Sequence, residues 1–167
     1  MKKDASMKMG GFTLFETLFA AGLSVLVMAM LFEAFIVCNR NWHRTALDLA
    51  STREGSQCLE RMVYGVGTGL GLRAAYWVTN WGSTTNWQLQ SSNYYGYSWY
   101  RFNPANQVVV FSNARGISVI GSNVVSSLVS NTPMGISVSL TLVQAEGGFR
   151  ETNSLSTYIK MRTPKTF

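Results

Sequence analysis

The stretch Lys8–Cys38, KMGGFTLFETLFAAGLSVLVMAMLFEAFIVC, decides how the rest of this chain is read. From Phe12 onward it holds no proline, and Thr13, Glu16, Thr17, Ser24 and Glu33 are its polar side chains. As a helix, Phe12 to Cys38 spans about 40 Å, enough to cross a bilayer. Glu33 falls about 30 Å along that helix and reaches the far interface. Glu16 sits just inside the near end. A carboxylate at membrane depth is costly and by default marks function, with a partner to be named.

Three ordinary readings compete. A secretory signal peptide has an apolar region of about 7–15 residues and a small-residue cleavage site. Here the run is longer and leads into Asn39-Arg40-Asn41-Trp42. A lipoprotein signal needs a small residue before the lipidated cysteine, but Val37 precedes Cys38. A plain single-pass signal anchor fits the length, with Lys2, Lys3 and Lys8 holding the N-terminus inside, although Arg40 and Arg44 flank the other end and weaken the bias. That reading leaves Glu16 unexplained.

The order Lys8-Met9-Gly10-Gly11-Phe12-Thr13-Leu14-Phe15-Glu16, followed by a long apolar helix, resembles the class III signal of type IV pilins and pseudopilins. The resemblance implies a basic leader, residues 1–11, cut by prepilin peptidase between Gly11 and Phe12. It also implies N-methylation of Phe12 and a charge pairing in which Glu16 faces the Phe12 ammonium of a neighbouring subunit. Such a pair offsets the desolvation of both ions, and removing one member of a buried pair costs about 3–5 kcal/mol. Major pilins of the family carry a helix-bending proline and a C-terminal disulfide loop. This chain has neither feature, which favours a minor pilin or pseudopilin.

The whole chain has 167 residues, room for one modest domain, and a formal charge of +6. Starting at Phe12 it would carry +4, because Lys2, Lys3, Lys8 and Asp4 leave with the leader. The remaining basic residues are scattered, so composition allows a nucleic-acid footprint without indicating one. Cys38 and Cys58, twenty residues apart on one helix, lie about 30 Å from each other and cannot pair. His43 is the single histidine, and past residue 64 the carboxylates are Glu146 and Glu151. No metal site, cofactor motif or catalytic triad is evident, so a non-enzymatic role is expected.

After Cys38 the helix is expected to continue amphipathically over 39–64, with Trp42, Ala46, Leu49, Leu59, Met62 and Val63 at three- and four-residue steps. Gly55 is a weak point within it, worth about 1 kcal/mol relative to Ala. Gly65, Gly67, Gly69 and Gly71 end it near Tyr64. They follow a helix and keep a spacing of two, which excludes the dinucleotide fingerprint in favour of a linker. Residues 65–86 read as that Gly-rich and aromatic linker, and 87–167 as an antiparallel β domain. Its candidate strands are Trp87–Gln90, Ser98–Phe102, Val108–Ser112, Ile117–Ile120, Gly135–Gln144 and Ser156–Arg162. Strict alternation from Ile136 to Leu142 marks the clearest, with Gly147, Gly148 and Asn153 in the turn that returns it.

Among Asn, Ser, Thr and Gly, residues 77–102 carry the candidate binding aromatics Trp81, Trp87, Tyr94, Tyr95, Tyr97 and Trp99, together with Trp77 and Tyr100. They form either a surface for glycans, partner subunits or single-stranded DNA, or a loop whose rings pack on the sheet and helix. The lack of a basic cluster favours the loop.

The expected fold is therefore α+β and pilin-like: a long N-terminal helix, transmembrane over 12–38, laid on a small antiparallel sheet. Beyond residue 64 the strand order is similar to that of J-type minor pseudopilins and related minor pilins. The resemblance implies a single-pass subunit of the bacterial inner membrane with its β domain in the periplasm or exterior. Prepilin peptidase, other pilin subunits and the membrane would be its partners. It would assemble into a type IV pilus or a type II secretion pseudopilus. A minor pilin whose β domain binds DNA or a surface ligand, and a plain signal-anchored membrane protein, are the alternatives.

Overall fold

The computed structural model describes residues 13–67, 71–83, 85–94, 96–132 and 135–161. Helix α1, Leu14–Tyr64, is followed by a short 3-10 turn, Leu72–Ala74, and eight strands. These are β1 Trp77–Gly82, β2 Trp87–Asn93, β3 Gly96–Asn103, β4 Val108–Asn113, β5 Gly116–Gly121, β6 Val124–Thr132, β7 Gly135–Glu146 and β8 Phe149–Lys160. The α+β layout matches the expectation. Contacts divide the chain between Trp42 and His43 into two units.

In the N-terminal unit every described side chain of α1 is exposed, including Phe15, Leu18, Phe32 and Phe35. Helical backbone satisfies its own hydrogen bonds, the condition for lipid. The hydroxyls comply as well: Thr17 Oγ1 donates to the Leu14 carbonyl at 2.8 Å and Ser24 Oγ to the Ala20 carbonyl at 2.8 Å. This is one helix long and apolar enough to cross a membrane.

The second unit contains two antiparallel meanders, not the one small sheet expected. Strands β1 to β5 form a five-stranded sheet in chain order, and β6 to β8 a three-stranded one. Their inner faces share a core with α1 in which Trp87, Leu89, Tyr100, Phe102, Leu140 and Leu142 are fully buried. Each buried Leu side chain contributes about 1.5–3 kcal/mol. Indole Nε1 of Trp87 donates to Ser127 Oγ at 3.0 Å, and Ser127 Oγ donates to the Ser139 carbonyl at 3.1 Å, which ties one sheet to the other.

Within this unit α1 buries Leu47, Ser51, Gly55, Cys58, Leu59 and Met62. The expected face included Ala46 and Leu49, but both are exposed. The packed stripe was concealed by its small members. A Cβ at Gly55 would lie 2.7 Å from Leu155 Cδ1 and 2.8 Å from Leu142 Cδ1, so the residue that weakens the helix also admits β7 and β8 against it. Alongside runs a polar seam. Asn153 Nδ2 donates to Asp48 Oδ1 at 2.5 Å and to Ser51 Oγ at 2.6 Å, Arg44 pairs with Glu151 at 3.8 Å, and His43 stacks on Phe149. Glu54 Oε2 accepts from Gln144 Nε2 at 2.7 Å, while its Oε1 accepts from the Ser122 backbone N–H at 3.2 Å and from the Ser122 hydroxyl.

Two strands were not expected, and one is much longer than its pattern. Strand β1 lies inside the stretch read as linker, where Val78 is its one buried residue. In β6 a register shift between Val124 and Ser126 breaks the alternation, so Val124, Ser127 and Val129 point inward. Strand β8 starts at Phe149, not Ser156, because its first half meets α1 through Glu151 and Asn153 instead of apolar side chains. The turn before it is Gly147-Gly148, both at positive φ. Asn153, assigned to that turn from sequence, pairs with Leu142 inside the hairpin. Arg162, expected to end the last strand, lies outside the described residues.

Candidate helix terminus and aromatic sheet face

Two places hold the residues singled out from the sequence. The first is the start of α1. Thr13 is the N-cap: its carbonyl accepts the first helical bond from Thr17 N–H at 3.2 Å. Glu16 Oε2 accepts from the Thr13 backbone N–H at 2.9 Å and from Thr13 Oγ1 at 3.2 Å, and Glu16 N–H donates to Thr13 Oγ1 at 3.4 Å. This is a capping box, which satisfies otherwise orphaned N–H groups. Its signal is the Ser/Thr-x-x-Glu spacing of Thr13-Leu14-Phe15-Glu16, a local pattern that the membrane cost of Glu16 masks in the sequence. Gly11 and Phe12, the expected cleavage and methylation positions, lie outside the described residues.

The second place is the outer face of the five-stranded sheet. Register builds it in three rows. Trp77 pairs with Ser92, and Ser92 with Tyr97. Thr79, Gln90, Trp99, Ser112 and Ile117 form the next row, and Trp81, Gln88, Arg101, Val110 and Val119 the third. Side chains alternate faces along a strand, so the intervening residues Val78, Leu89, Tyr100 and Phe111 point into the core. Rows are about 7 Å apart and neighbouring strands about 4.8 Å. Hence Trp81 and Trp99, two strands and one row apart, stand about 12 Å from each other across Gln88 and Gln90.

The solvated face of an antiparallel sheet is ordinarily polar. This one carries Arg101 as its single charged residue. The side chains of Gln88, Gln90 and Arg101 make no hydrogen bond or ion pair among the described residues. Trp81 and Tyr97 are 56% and 60% exposed, and Trp77 and Trp99 are half-buried. Trp77 leans on Tyr97, ring centroids 6.0 Å apart.

Of the six candidate binding aromatics, the structure brings Trp81, Tyr97 and Trp99 together on this face and adds Trp77. Trp87 is a correction: it is a core residue with no exposure, packed against Phe102. Tyr94 is exposed in the β2–β3 turn, and Tyr95 lies outside the described residues. Trp99 lies on a strand that the sequence marked, whereas Trp77, Trp81 and Tyr97 occupy strand positions not expected from it, because the Asn, Ser and Thr around them are residues that composition assigns to turns. Gln88 and Gln90 went unnoticed in the sequence, since only pairing places them between Trp81 and Trp99.

Elsewhere, an open groove of about 710 Å³ between α1 and β8 is lined by Leu59, Glu60, Val63, Arg73, Ile159 and Lys160, with Glu60 its one carboxylate. Among the described residues no three His, Cys, Asp or Glu side chains cluster to hold a metal ion. Burial raises the Cys58 thiol to about 12 and pushes the Tyr100 phenol up strongly, so both are neutral and inert at ordinary pH. No protein-family model, curated protein or solved structure matches this chain.

Proposed function

We propose that the chain is a non-enzymatic minor pilin or pseudopilin, matured by prepilin peptidase and assembled through α1 into a type IV pilus or type II secretion pseudopilus. The observation that carries this reading is the order Gly11-Phe12 then Glu16 at the head of an exposed apolar helix. The capping box with Thr13 would serve a plain anchor as well, so it is the junction Gly11-Phe12 together with Glu16 four residues on that favours assembly. In the free subunit Glu16 rests on Thr13; in the filament it would face a neighbour's Phe12 ammonium. The subunit would sit in the bacterial inner membrane with its β domain in the periplasm or exterior. Mass spectrometry of the membrane form tests the reading: the N-terminus is expected at Phe12, one methyl group heavier. An intact Met1 terminus in cells with active prepilin peptidase overturns it.

The outer face of β1–β5 favours a second, compatible reading, in which the β domain is also a binding module.

A further inference from the structure

We infer that the outer face of the five-stranded sheet binds an uncharged polysaccharide, with Trp81 and Trp99 as stacking platforms and Gln88 and Gln90 as polar contacts between them. The assignment follows from what the face offers and what it lacks. A pyranose ring has one C–H-rich face and a rim of hydroxyls. The C–H face matches an aromatic surface, and the rim demands groups that both donate and accept. Indole rings provide the first at low entropy cost. Primary amides provide the second, each with two donors and an acceptor. The four residues stand in that relation: two platforms about 12 Å apart, with the amides of β2 between them.

Other occupants fit less well. Nucleic acid binding draws its affinity from phosphate neutralisation, and Arg101 is the face's lone cation. An anionic membrane surface needs the same lysines and arginines. A protein partner calls for a continuous apolar centre, whereas Trp99 at the centre of this face stands between Gln90 and Ser112, with Val110, Val119 and Ile117 set toward the β5 edge. Half-buried Gln88 and Gln90, whose side chains hydrogen-bond no other described residue, are the second, independent sign. Such amides form hydrogen bonds only with what arrives from solvent. The inference does not depend on how the N-terminus is processed.

The experiment uses the full chain in lipid nanodiscs, which avoids sugar-based detergent, and measures its depletion by particulate cellulose, chitin and starch. At least one is expected to retain the protein at both low and high salt. Trp81→Ala and Trp99→Ala should each weaken retention about two- to tenfold, as expected for losing one aromatic contact. Gln90→Ala should weaken it while leaving the thermal transition unchanged. Far-UV circular dichroism checks folding of both tryptophan variants, and Trp81→Phe, which keeps a ring at the strand end, should retain most binding. Failure of all three polysaccharides to retain the protein overturns the inference. So does retention that is indifferent to Trp81 and Trp99, or salt-sensitive retention on single-stranded DNA in place of polysaccharide.

Discussion

Glu16 Oε2 lies 2.9 Å from the backbone N–H of Thr13, so the carboxylate proposed to attract a neighbouring subunit also caps its own helix. The two roles separate by mutation. Thr13→Ala removes the hydroxyl of the box and costs the helix end about 0.5–2 kcal/mol, but leaves the charge. Filament incorporation should survive it. Glu16→Gln still accepts the Thr13 N–H but cannot neutralise an ammonium, and its incorporation should fail almost as badly as that of Glu16→Ala. Cleavage after Gly11 and membrane insertion should proceed in all three. Subunit recovered in sheared filaments, relative to the membrane pool, is the measurement; normal incorporation of both Glu16 variants would remove the pairing role.

Gly55 is expected to resist enlargement. Its missing Cβ leaves room for Leu142 and Leu155, whose methyls would stand under 3 Å from a new carbon. Gly55→Val should destabilise the β unit by about 1–3 kcal/mol through overpacking. Thermal denaturation of the full chain would show it. An unchanged midpoint would mean that the two leucines move aside freely.

The seam between Asn153 and Asp48 gives a third test. Asn153 donates to Asp48, Ser51 and Thr52. Asn153→Ala removes these bonds, of which the one to buried Ser51 is shielded from solvent, at a cost of about 0.5–1.5 kcal/mol. Asn153→Leu should do no better, since it presses an apolar side chain on the Asp48 carboxylate. Urea midpoints for both variants decide the point.

What was legible in the sequence follows the strength of local signals. The end of α1 at Tyr64 was legible because alternating glycines cannot remain helical. The core of β7 was legible because Ile136 to Leu142 alternate strictly. Strands β1 and β6 and the first half of β8 were not, because their inward residues are few, bulge-shifted or polar. The aromatic face is a product of register alone: Trp81 and Trp99 are 18 positions apart in the chain, and only the β1–β2–β3 meander brings them beside the same two glutamines. The capping box was fully local and still went unread, since Thr13 and Glu16 had a second, louder explanation.

Tyr100 offers a test of an orphaned group. Its ring packs on Phe111 at 5.0 Å with no exposure, and its hydroxyl has no hydrogen-bond partner among the described residues. A buried polar group without a partner costs about 1–3 kcal/mol. Tyr100→Phe should therefore leave the midpoint of unfolding unchanged or raise it. A marked drop would reveal a bond formed by that hydroxyl.

The last prediction concerns Cys58 and alkaline pH. Cys38 and Cys58, unpaired on one helix, differ in burial: Cys38 is exposed, whereas Cys58 Sγ lies where a Cβ on Gly121 would need to be. Cys58→Ser places a hydroxyl in an apolar core and should destabilise even when it bonds back to its own helix, whereas Cys58→Ala removes only a modest volume. Burial raises the thiol from 9.0 to about 12, so the unfolded chain loses its proton first as pH rises. Between those values the folded state holds more protons than the unfolded state, and stability must fall with pH. It is fully present below pH 9 and lost toward pH 12. Tyr100 adds a loss of the same sign, beginning above 10.0. Urea titrations at several pH values should show this decline, shallower in Cys58→Ala and shallower still when Tyr100→Phe is added. In the native protein a thiol reagent should label Cys38, at the far end of the apolar segment, well ahead of Cys58, which reacts only on unfolding. Prompt labelling of both would mean that the contact between α1 and β5 opens far more readily than its packing implies.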